Sequence, residues 1–278
     1  MSHRADLHTH STASDGQLAP AELARYAASE GLRVLALTDH DSTEGVGEAL
    51  RSAQGSSVVV VPGVELNAQT EHGEAHVLGY FIDHEDRKLA RRLGERRSAR
   101  DRRGELMVRR LSRLGYCLSW SRVLEIAGGG SVGRPHVARA LTEAGYVSDV
   151  DDAFRRLIRR GGPGYVPTPS LDIAEAVQWV LQAGGLPVLA HPLQIMQSVP
   201  SLTKLGLVGL EVYYGGYSAA DVSFLARQAG ALGLLQTGGS DFHGPAVLAT
   251  AGPGAVPLPW EHVERLLEVA RQRRLLSA

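Results

Sequence analysis

The stretch DLHTHSTASDG, residues 6–16, combines a closely spaced pair of histidines with a later aspartate, side chains of the kinds that bind metal ions. His8 and His10 are two residues apart, and on a β-strand this spacing places both imidazoles on the same face. Asp15 follows a run of small polar residues in which the strand would already have ended, so its carboxylate can approach the same point from a loop. Two imidazoles and a carboxylate are the beginning of a metal site. The alternative is a strand end with two solvated histidines. The residues found at the other strands decide between a metal site and this alternative.

Length and composition are those of a soluble α/β protein. A chain of 278 residues is long enough for one α/β barrel or for two smaller domains. The single cysteine, Cys117, excludes an internal disulfide and favours a cytoplasmic location, and we expect its side chain to fill an apolar space in the core. We find no basic start followed by an apolar run and no apolar segment of about 20 residues, so we expect neither export nor contact with a membrane.

The formal net charge of −1 conceals an uneven distribution. Residues 86–165 contain 19 Lys and Arg against 9 Asp and Glu, and 18 of these 19 are Arg, whereas the rest of the chain is acidic. Arginine suits bidentate contact with phosphate better than lysine does. Binding of an anionic substrate is one interpretation; a solvated helix surface is the other, and we expect it for most of these arginines.

The first third of the chain alternates strands with helices, and ligand-type residues follow the strands. This alternation is typical of the βα units of a parallel sheet or barrel, whose chemistry is found at the carboxyl ends of the strands. The predicted strands are 5–7, 34–37, 58–61 and 75–81, and the predicted helices are 19–30 and 42–52.

From residue 86 the pattern changes to a long Arg-rich helix that reaches residue 114. Shorter helical segments follow to residue 160, with a Gly-rich break at 126–133. We therefore predict a small helical subdomain, residues 86–169, inserted into a barrel made of residues 1–85 and 170–278. The later predicted helices are 173–183, 221–232 and 260–275, and the later strands are 187–190, 209–212 and 234–237.

Nine side chains with nitrogen or oxygen ligand atoms lie at or beside predicted strand ends, and six of the 11 histidines are among them. Nine such ligands, with no thiolate, exceed the needs of one tetrahedral site and are enough for two or three divalent ions that share a carboxylate. The nine are His8, His10, Asp15, His40, Glu65, His76, His191, Asp241 and His243.

The chain resembles the PHP family (polymerase and histidinol phosphatase) along nearly its whole length. The motifs that carry the resemblance are DLHTHS with SDG, ALTDHD, PGVEL, AHVLGY, LAHP and GSDFH, in this order. The resemblance implies an α/β fold, a distorted (β/α)7 barrel, with up to three metal ions at the carboxyl ends of the strands. It also implies the ligand sets: His8, His10, Glu65 and Asp241 for one ion, Glu65 as a bridge with His76 and His191 for a second, and Asp15, His40 and His243 for a third.

The inserted region resembles that of PHP phosphoesterases that act on nucleotides. GRPHVAR, residues 133–139, is similar to their Arg-x-His motif, whose Arg and His reach the substrate phosphate. Arg134 offers a bidentate fork, and His136 adds a donor at a helix start. An ordinary Arg and His at a helix N-terminus is the alternative.

Two positions depart from the nucleotide-acting pattern. Members that cleave 3′,5′-bisphosphates or RNA ends carry GKPGYV and HPGRY, whereas this chain carries GGPGYV and HPLQI. Gly162 therefore replaces a lysine and Gln194 an arginine, so two cationic contacts to phosphate are missing. We expect the metal chemistry to be retained. The sequence does not determine the identity of the second anionic group on the substrate.

The constellation predicts a metal-dependent phosphoric monoester or diester hydrolase. We expect a hydroxide that bridges two ions to attack phosphorus in line, with the ions, Arg134 and His136 neutralising the phosphoryl oxygens. Asp39 and His136 are both candidates for the proton donor to the leaving oxygen. Asp41 is expected to support the ligands or to cap a loop. Manganese, iron and zinc all suit these ligands.

The expected substrate is a small phosphorylated metabolite, with a nucleotide favoured: a 3′,5′-bisphosphate, an AMP-like compound or a short RNA 5′ end. A histidinol-phosphate phosphatase is the alternative, and the Arg-x-His motif argues against it. A third interpretation is a non-catalytic nucleic-acid-binding module, which would bind long nucleic acid in a salt-dependent way without turnover. No obligate protein partner is inferred.

Overall fold

The computed structural model describes residues 4–130, 132–167, 171–245 and 252–275. Seven strands lie side by side in chain order, and β1 also contacts β7. The His10 amide donates to the Phe242 carbonyl at 2.9 Å and the Asp241 amide to the His8 carbonyl at 2.9 Å, which joins the two edges of the sheet. The predicted distorted (β/α)7 barrel is confirmed. Its strands are β1 Arg4–Thr9, β2 Leu32–Leu37, β3 Val59–Thr70, β4 Gly73–Tyr80, β5 Leu186–Ala190, β6 Gly209–Tyr214 and β7 Leu235–Gly239.

The predicted parallel arrangement is wrong for β4, which runs antiparallel to both β3 and β5. Sequence reasoning ended the third strand at residue 61, but β3 pairs with β2 as far as Pro62 and then continues to Thr70 as one arm of a hairpin. Only two residues join β3 to β4, and a parallel crossover needs a dozen or more. Glu65 consequently lies inside a strand, not beyond the end of one.

The helices follow the predicted pattern, with two differences. The second helix begins at Val46 and not at residue 42, and a 3₁₀ turn at Pro192–Ser198 with the short helix after it was not predicted. The α-helices of the described residues are α1 Pro20–Ser29, α2 Val46–Ala53, α3 Arg87–Arg113, α4 Trp120–Ala127, α5 Arg134–Glu143, α6 Val150–Ala153, α7 Ile173–Gln182, α8 Val199–Lys204, α9 Ala219–Ala231 and α10 Trp260–Gln272. A π-helical turn, Phe154–Ile158, continues α6.

The long Arg-rich helix α3 begins where its sequence indicates. The Asp86 carboxylate accepts a hydrogen bond from the Leu89 amide at 2.6 Å, which caps the first turn. Beyond this turn, Met107, Leu111, Val123 and Leu141 belong to an apolar cluster shared by α3, α4 and α5. The inserted subdomain nevertheless stays an interpretation, and its predicted boundary at residues 169 and 170 lies outside the described residues.

Cys117 is exposed, so our expectation of a buried side chain is wrong; it follows the end of α3, where the chain turns at the surface. Across the described ranges, no helix combines the length and the apolar character needed to cross a bilayer.

Candidate metal centre

Glu65, fully buried in β3, lies at the centre of a cluster of histidines. The segment that follows β2 pairs with Glu65: the Asp41 amide donates to the Glu65 carbonyl at 2.8 Å, and this brings the neighbouring His40 close. Its two carboxylate oxygens face different imidazoles, which supports a bridging role. Oε2 lies 3.2, 3.3 and 2.9 Å from nitrogens of His8, His10 and His40, and Oε1 lies 2.7 and 3.5 Å from nitrogens of His76 and His191.

The first predicted ligand set comes together where β1 meets β7. Asp241 Oδ1 lies 3.3 Å from His8 Nε2 and 3.0 Å from His10 Nε2. One ligand atom from each of these residues and from Glu65 lies within 4.8 Å of the others. This geometry supports a common ion for the four side chains.

The third predicted set stays together and gains one residue, whereas the second set changes. Asp15 and His243 lie together, with His243 Nε2 at 3.3 Å from Asp15 Oδ1, and His10 joins them as well as His40. His40 also forms a group with Glu65 and His76, so it lies between two sites. Among the described residues, His191 belongs to none of these compact groups, and its position rests on the 3.5 Å approach to Glu65.

The residues fit the ions that their chemistry implies. Buried polar atoms almost always have a hydrogen-bond partner, yet several ligand atoms here have none. A shared cation satisfies imidazole nitrogens and carboxylate oxygens together, and a set rich in nitrogen and oxygen without thiolate suits manganese, iron or zinc. The buried atoms without a hydrogen bond are His8 Nε2, His10 Nδ1 and Nε2, Asp15 Oδ1, Glu65 Oε2 and Asp241 Oδ1.

The charges of the cluster are strongly coupled. Burial opposes protonation of His10, but the carboxylates of Asp241 and Glu65 outweigh it and raise the pKa of His10 to about 10. Burial likewise opposes ionisation of Glu65 and Asp241, but the surrounding histidines hold the pKa of each carboxyl well below its usual range. The two carboxylates are therefore ionised, and a divalent ion has to displace the proton of His10.

Three residues around the centre have left-handed backbone conformations. The φ angles are 47° at Asp41, 28° at His191 and 54° at Asp241. Such values are uncommon for residues other than glycine, and they persist where the surrounding structure determines them. Here each one directs the chain as it leaves the carboxyl end of β2, β5 or β7.

A cavity of about 180 Å³ lies beside the cluster and contains Asp15, His40 and His76 in its wall. Arg134, at the first turn of α5, also lines it, with its guanidinium 5.5 Å from the Phe154 ring and 3.4 Å from the Glu74 carboxylate. The structure thus brings this predicted residue next to three predicted ligands. Three more arginines line the same cavity: Arg96, Arg100 and Arg103.

His136 lies behind this cavity, and among the described residues it is not part of the wall. It is buried, and its Nδ1 accepts a hydrogen bond from the Gly133 amide at 2.9 Å. Burial lowers its pKa to about 4, although Asp15 acts in the opposite direction. At neutral pH the ring is therefore uncharged with its proton on Nε2, so it can donate a hydrogen bond but is not an imidazolium acid.

Comparisons with known proteins agree with this geometry. The family model of the PHP domain matches residues 6–116. A 5′-3′ exoribonuclease of Haemophilus influenzae is 33% identical over 252 residues, covering 88% of this chain and 92% of that protein. The chain belongs to the PHP family. A 3′,5′-nucleoside bisphosphate phosphatase of Chromobacterium violaceum is 34% identical over 253 residues, covering 86% of this chain and 87% of that protein.

The solved structures show the same PHP fold. A crystal structure from Bifidobacterium adolescentis, assigned as a metal-dependent phosphoesterase, matches with a TM-score of 0.88 and 31% identity over 96% of both chains. The barrel that carries the histidine and carboxylate cluster is therefore shared over 96% of both chains.

Glu211 supports the PHP centre and was missed by sequence reasoning. It is fully buried in β6, with Oε1 at 2.9 Å from His8 Nδ1 and Oε2 accepting from the His191 amide at 2.8 Å. A carboxylate behind an imidazole fixes the orientation of the ring and directs its other nitrogen to the metal. The available signal was a lone glutamate within the apolar run 209–212.

The two candidate carboxylates that follow β2 support the surrounding structure. Asp39 is buried and accepts from the Ser11 amide and hydroxyl, both at 2.7 Å, and from the Ser14 hydroxyl at 2.6 Å. It therefore holds the loop before Asp15, and this arrangement does not support a role as proton donor.

Asp41 joins the centre to α3. Its carboxylate oxygens lie 3.0 Å from Arg96 Nε and 3.0 Å from Arg100 Nε. Burial alone would raise the pKa of this carboxyl, but Arg100 and Arg96 lower it. Sequence reasoning did not single out these arginines; their spacing of four and then three residues to Arg103, which places all three on one helix face, was the signal.

The two departures from the nucleotide-acting pattern are also explained in part. A Cβ atom on Gly162 would lie 2.6 Å from the Leu157 carbonyl oxygen, so the backbone leaves no room for a side chain there. Gln194 is exposed on the 3₁₀ turn. Neither of the two is among the described residues that line the cavity.

Proposed function

We propose that this PHP protein is a metal-dependent phosphoesterase that hydrolyses a phosphate ester of a nucleotide. One observation carries the proposal: the ligand groups that overlap at Glu65 open onto a cavity lined by Arg134. Divalent ions and an arginine fork are the groups that neutralise phosphoryl oxygens in the transition state.

The substrate class is supported by the similar proteins. One of them is named for 3′,5′-nucleoside bisphosphates and the other for RNA. For this chain we propose a 3′,5′-bisphosphate, an AMP-like nucleotide or a short RNA 5′ end. Neither of these two relatives is named for histidinol phosphate, and the arginine-lined cavity suits a substrate richer in anionic groups.

The metal centre is proposed to hold two or three divalent ions. His8, His10, Glu65 and Asp241 would bind one, and Glu65, with His40 and His76 and with His191 nearby, a second. A third would be bound by His10, Asp15, His40 and His243. Imidazole-rich sites suit manganese, iron and zinc better than magnesium or calcium. The lone cysteine remains our reason to propose a cytoplasmic location.

The bound ions would lower the pKa of coordinated water and so supply the nucleophile. The other contributions come from the chain itself. Arg134 would contact the phosphoryl oxygens from the cavity wall. The uncharged His136, buried behind that wall, would hold the Gly133 amide at the start of α5. Glu65 and Asp241 are ionised before any metal binds, so they provide the negative charge that retains the ions.

The test is phosphate release by the manganese-loaded protein from adenosine 3′,5′-bisphosphate, AMP, a short 5′-phosphorylated RNA and histidinol phosphate. We expect turnover of one or more of the nucleotide substrates, and its loss together with bound metal in Asp241→Ala. Turnover of histidinol phosphate alone would establish the alternative phosphatase. Salt-dependent binding of long RNA without turnover of any compound would establish a binding module and contradict the proposal.

A further inference from the structure

Arg103 differs from the other α3 arginines that line the cavity beside the metal centre. Arg96 and Arg100 share the Asp41 carboxylate, with the Nε of each lying 3.0 Å from one of its oxygens. Arg103 is the next cavity residue along the helix. The carboxylate that acts on it most is Glu74, which already lies 3.4 Å from Arg134.

The guanidinium of Arg103 is held in place but not fully satisfied. Its Nε donates to the Val166 carbonyl at 2.7 Å, and its Cζ lies 5.4 Å from the centre of the Tyr165 ring. Its Nη2 is buried and has no hydrogen-bond partner among the described residues. Leaving a charged, buried donor unpaired is unfavourable, so an anionic acceptor in the cavity would satisfy it.

The Arg103 site has a second cation beside it. Burial and then the neighbouring Arg134 lower the pKa of Arg103 to about 10, so Arg103 stays charged at neutral pH. Two arginines that repel each other in one small cavity are stabilised by an anion between or beside them, and planar guanidinium groups match phosphate geometry. The chain has Gly162 and Gln194 where nucleotide-acting members carry a lysine and an arginine, so neither position adds a cation.

We infer that Arg103 forms a second anion subsite, which holds a phosphate group of the substrate other than the one at the metal ions. This inference rests on the proposed function and narrows it: the preferred nucleotide carries two phosphate groups. A bisphosphate can span the metal centre and Arg103, whereas a monophosphate can occupy only one of them.

The experiment compares Arg103→Gln with Arg102→Gln in the manganese-loaded protein. Gln keeps a donor for the Val166 carbonyl but removes the charge. Arg102 is exposed on the same helix, so its variant makes the same change of charge outside the cavity. The measurement is kcat/KM for adenosine 3′,5′-bisphosphate divided by kcat/KM for adenosine 3′-monophosphate and for adenosine 5′-monophosphate.

We expect the wild-type protein to prefer the bisphosphate and Arg103→Gln to lose about 10-fold to 100-fold of this preference, the range for one charge-assisted hydrogen bond. Arg102→Gln should keep the preference, and Arg103→Lys should recover part of it because the charge is restored. A preference that is unchanged in Arg103→Gln, or equally reduced in Arg102→Gln, would overturn the subsite while leaving the phosphoesterase intact.

Calorimetric binding of the same three nucleotides to the same proteins separates the two proposals. If no compound is hydrolysed but the bisphosphate binds at least about 10-fold more tightly than the monophosphates, and only Arg103→Gln removes the difference, the subsite stands and the proposed function fails. If neither turnover nor binding distinguishes the bisphosphate, the subsite is wrong. Thermal unfolding of Arg103→Gln close to that of Arg102→Gln shows that the fold is intact.

Discussion

Glu211 Oε1 lies 2.9 Å from His8 Nδ1, inside the barrel and out of contact with solvent. The contact leaves His8 Nε2 directed at Glu65 and Asp241, at 3.2 and 3.3 Å. A residue of β6 thus orients a residue of β1, and the same carboxylate also holds the backbone of His191. The ligands are therefore positioned from behind as well as by their own strands.

The first prediction concerns this contact. Glu211→Gln keeps the volume of the side chain but removes its charge, so His8 is oriented less firmly and becomes a weaker ligand. We expect metal affinity to fall about 10-fold to 100-fold, as is usual when such a partner of a ligand is changed. Metal content after equilibration in buffers of fixed free manganese measures this. The exposed Glu261 provides the control, and equal metal content in Glu211→Gln and Glu261→Gln would contradict the prediction.

Glu65 should be far less tolerant of the same change. It approaches five imidazoles through its two oxygens, and Gln would replace one oxygen by a donor and remove the bridging charge. We expect Glu65→Gln to lose at least one bound ion and to lower phosphate release by at least about 100-fold, beyond the effect of altering a supporting residue. Elemental analysis and a phosphate-release assay measure the two effects. Glu71→Gln, at an exposed carboxylate, should resemble the wild-type protein; retention of both metal and activity by Glu65→Gln would exclude the bridge.

Asp41 should contribute to the stability of the fold. Asp41→Asn leaves Arg96 and Arg100 partly buried without a compensating charge, and breaking such a pair costs about 3–5 kcal/mol. The control is Glu44→Gln, which removes an exposed contact to Arg97 and should cost less than about 1 kcal/mol. The free energy of unfolding in urea distinguishes them, and equal values for the two variants would show that Asp41 does not anchor α3.

The pH dependence of stability should report on His136. Its pKa is about 4 in the folded protein because the ring is buried, and about 6.5 in an unfolded chain. Between these values the unfolded state binds the proton and the folded state does not, so stability falls as the pH falls through this window. We expect His136→Asn, which keeps an acceptor for the Gly133 amide, to lose about 2 kcal/mol less than the wild-type protein between pH 7 and pH 5. Urea unfolding of both proteins at the two pH values measures the difference. An equal loss of stability in the two proteins would mean that the His136 ring is not buried in the folded state.

Much of the fold and of the centre was predictable because the signals are local. The alternation of strands and helices marked the barrel, and Asp86 with the Arg-rich run marked α3 within about a residue at each end. Helical periodicity and capping depend on neighbours in the chain. The two-residue spacing of His8 and His10 likewise turned both rings to one side without help from the rest of the structure.

Other features depended on distant parts of the chain. The antiparallel direction of β4 was missed because the third strand was predicted to end at residue 61. That strand continues to Thr70 only because it pairs with β4, and this pairing is visible only in the fold. The exposed Cys117 shows the same limit, since burial depends on which elements pack together.

The sequence by itself determined which side chains this protein has for binding metal, and that they lie on or beside its strands. Only the tertiary structure decided that Glu65 lies among five histidines, that Glu211 stands behind His8, and that Arg103 faces the cavity without a carboxylate of its own. The physical reason is that strand spacing sets the direction of a side chain, whereas closure of the barrel sets which of these side chains meet. Contacts between residues far apart in the chain cannot be obtained from periods of two or three and a half residues.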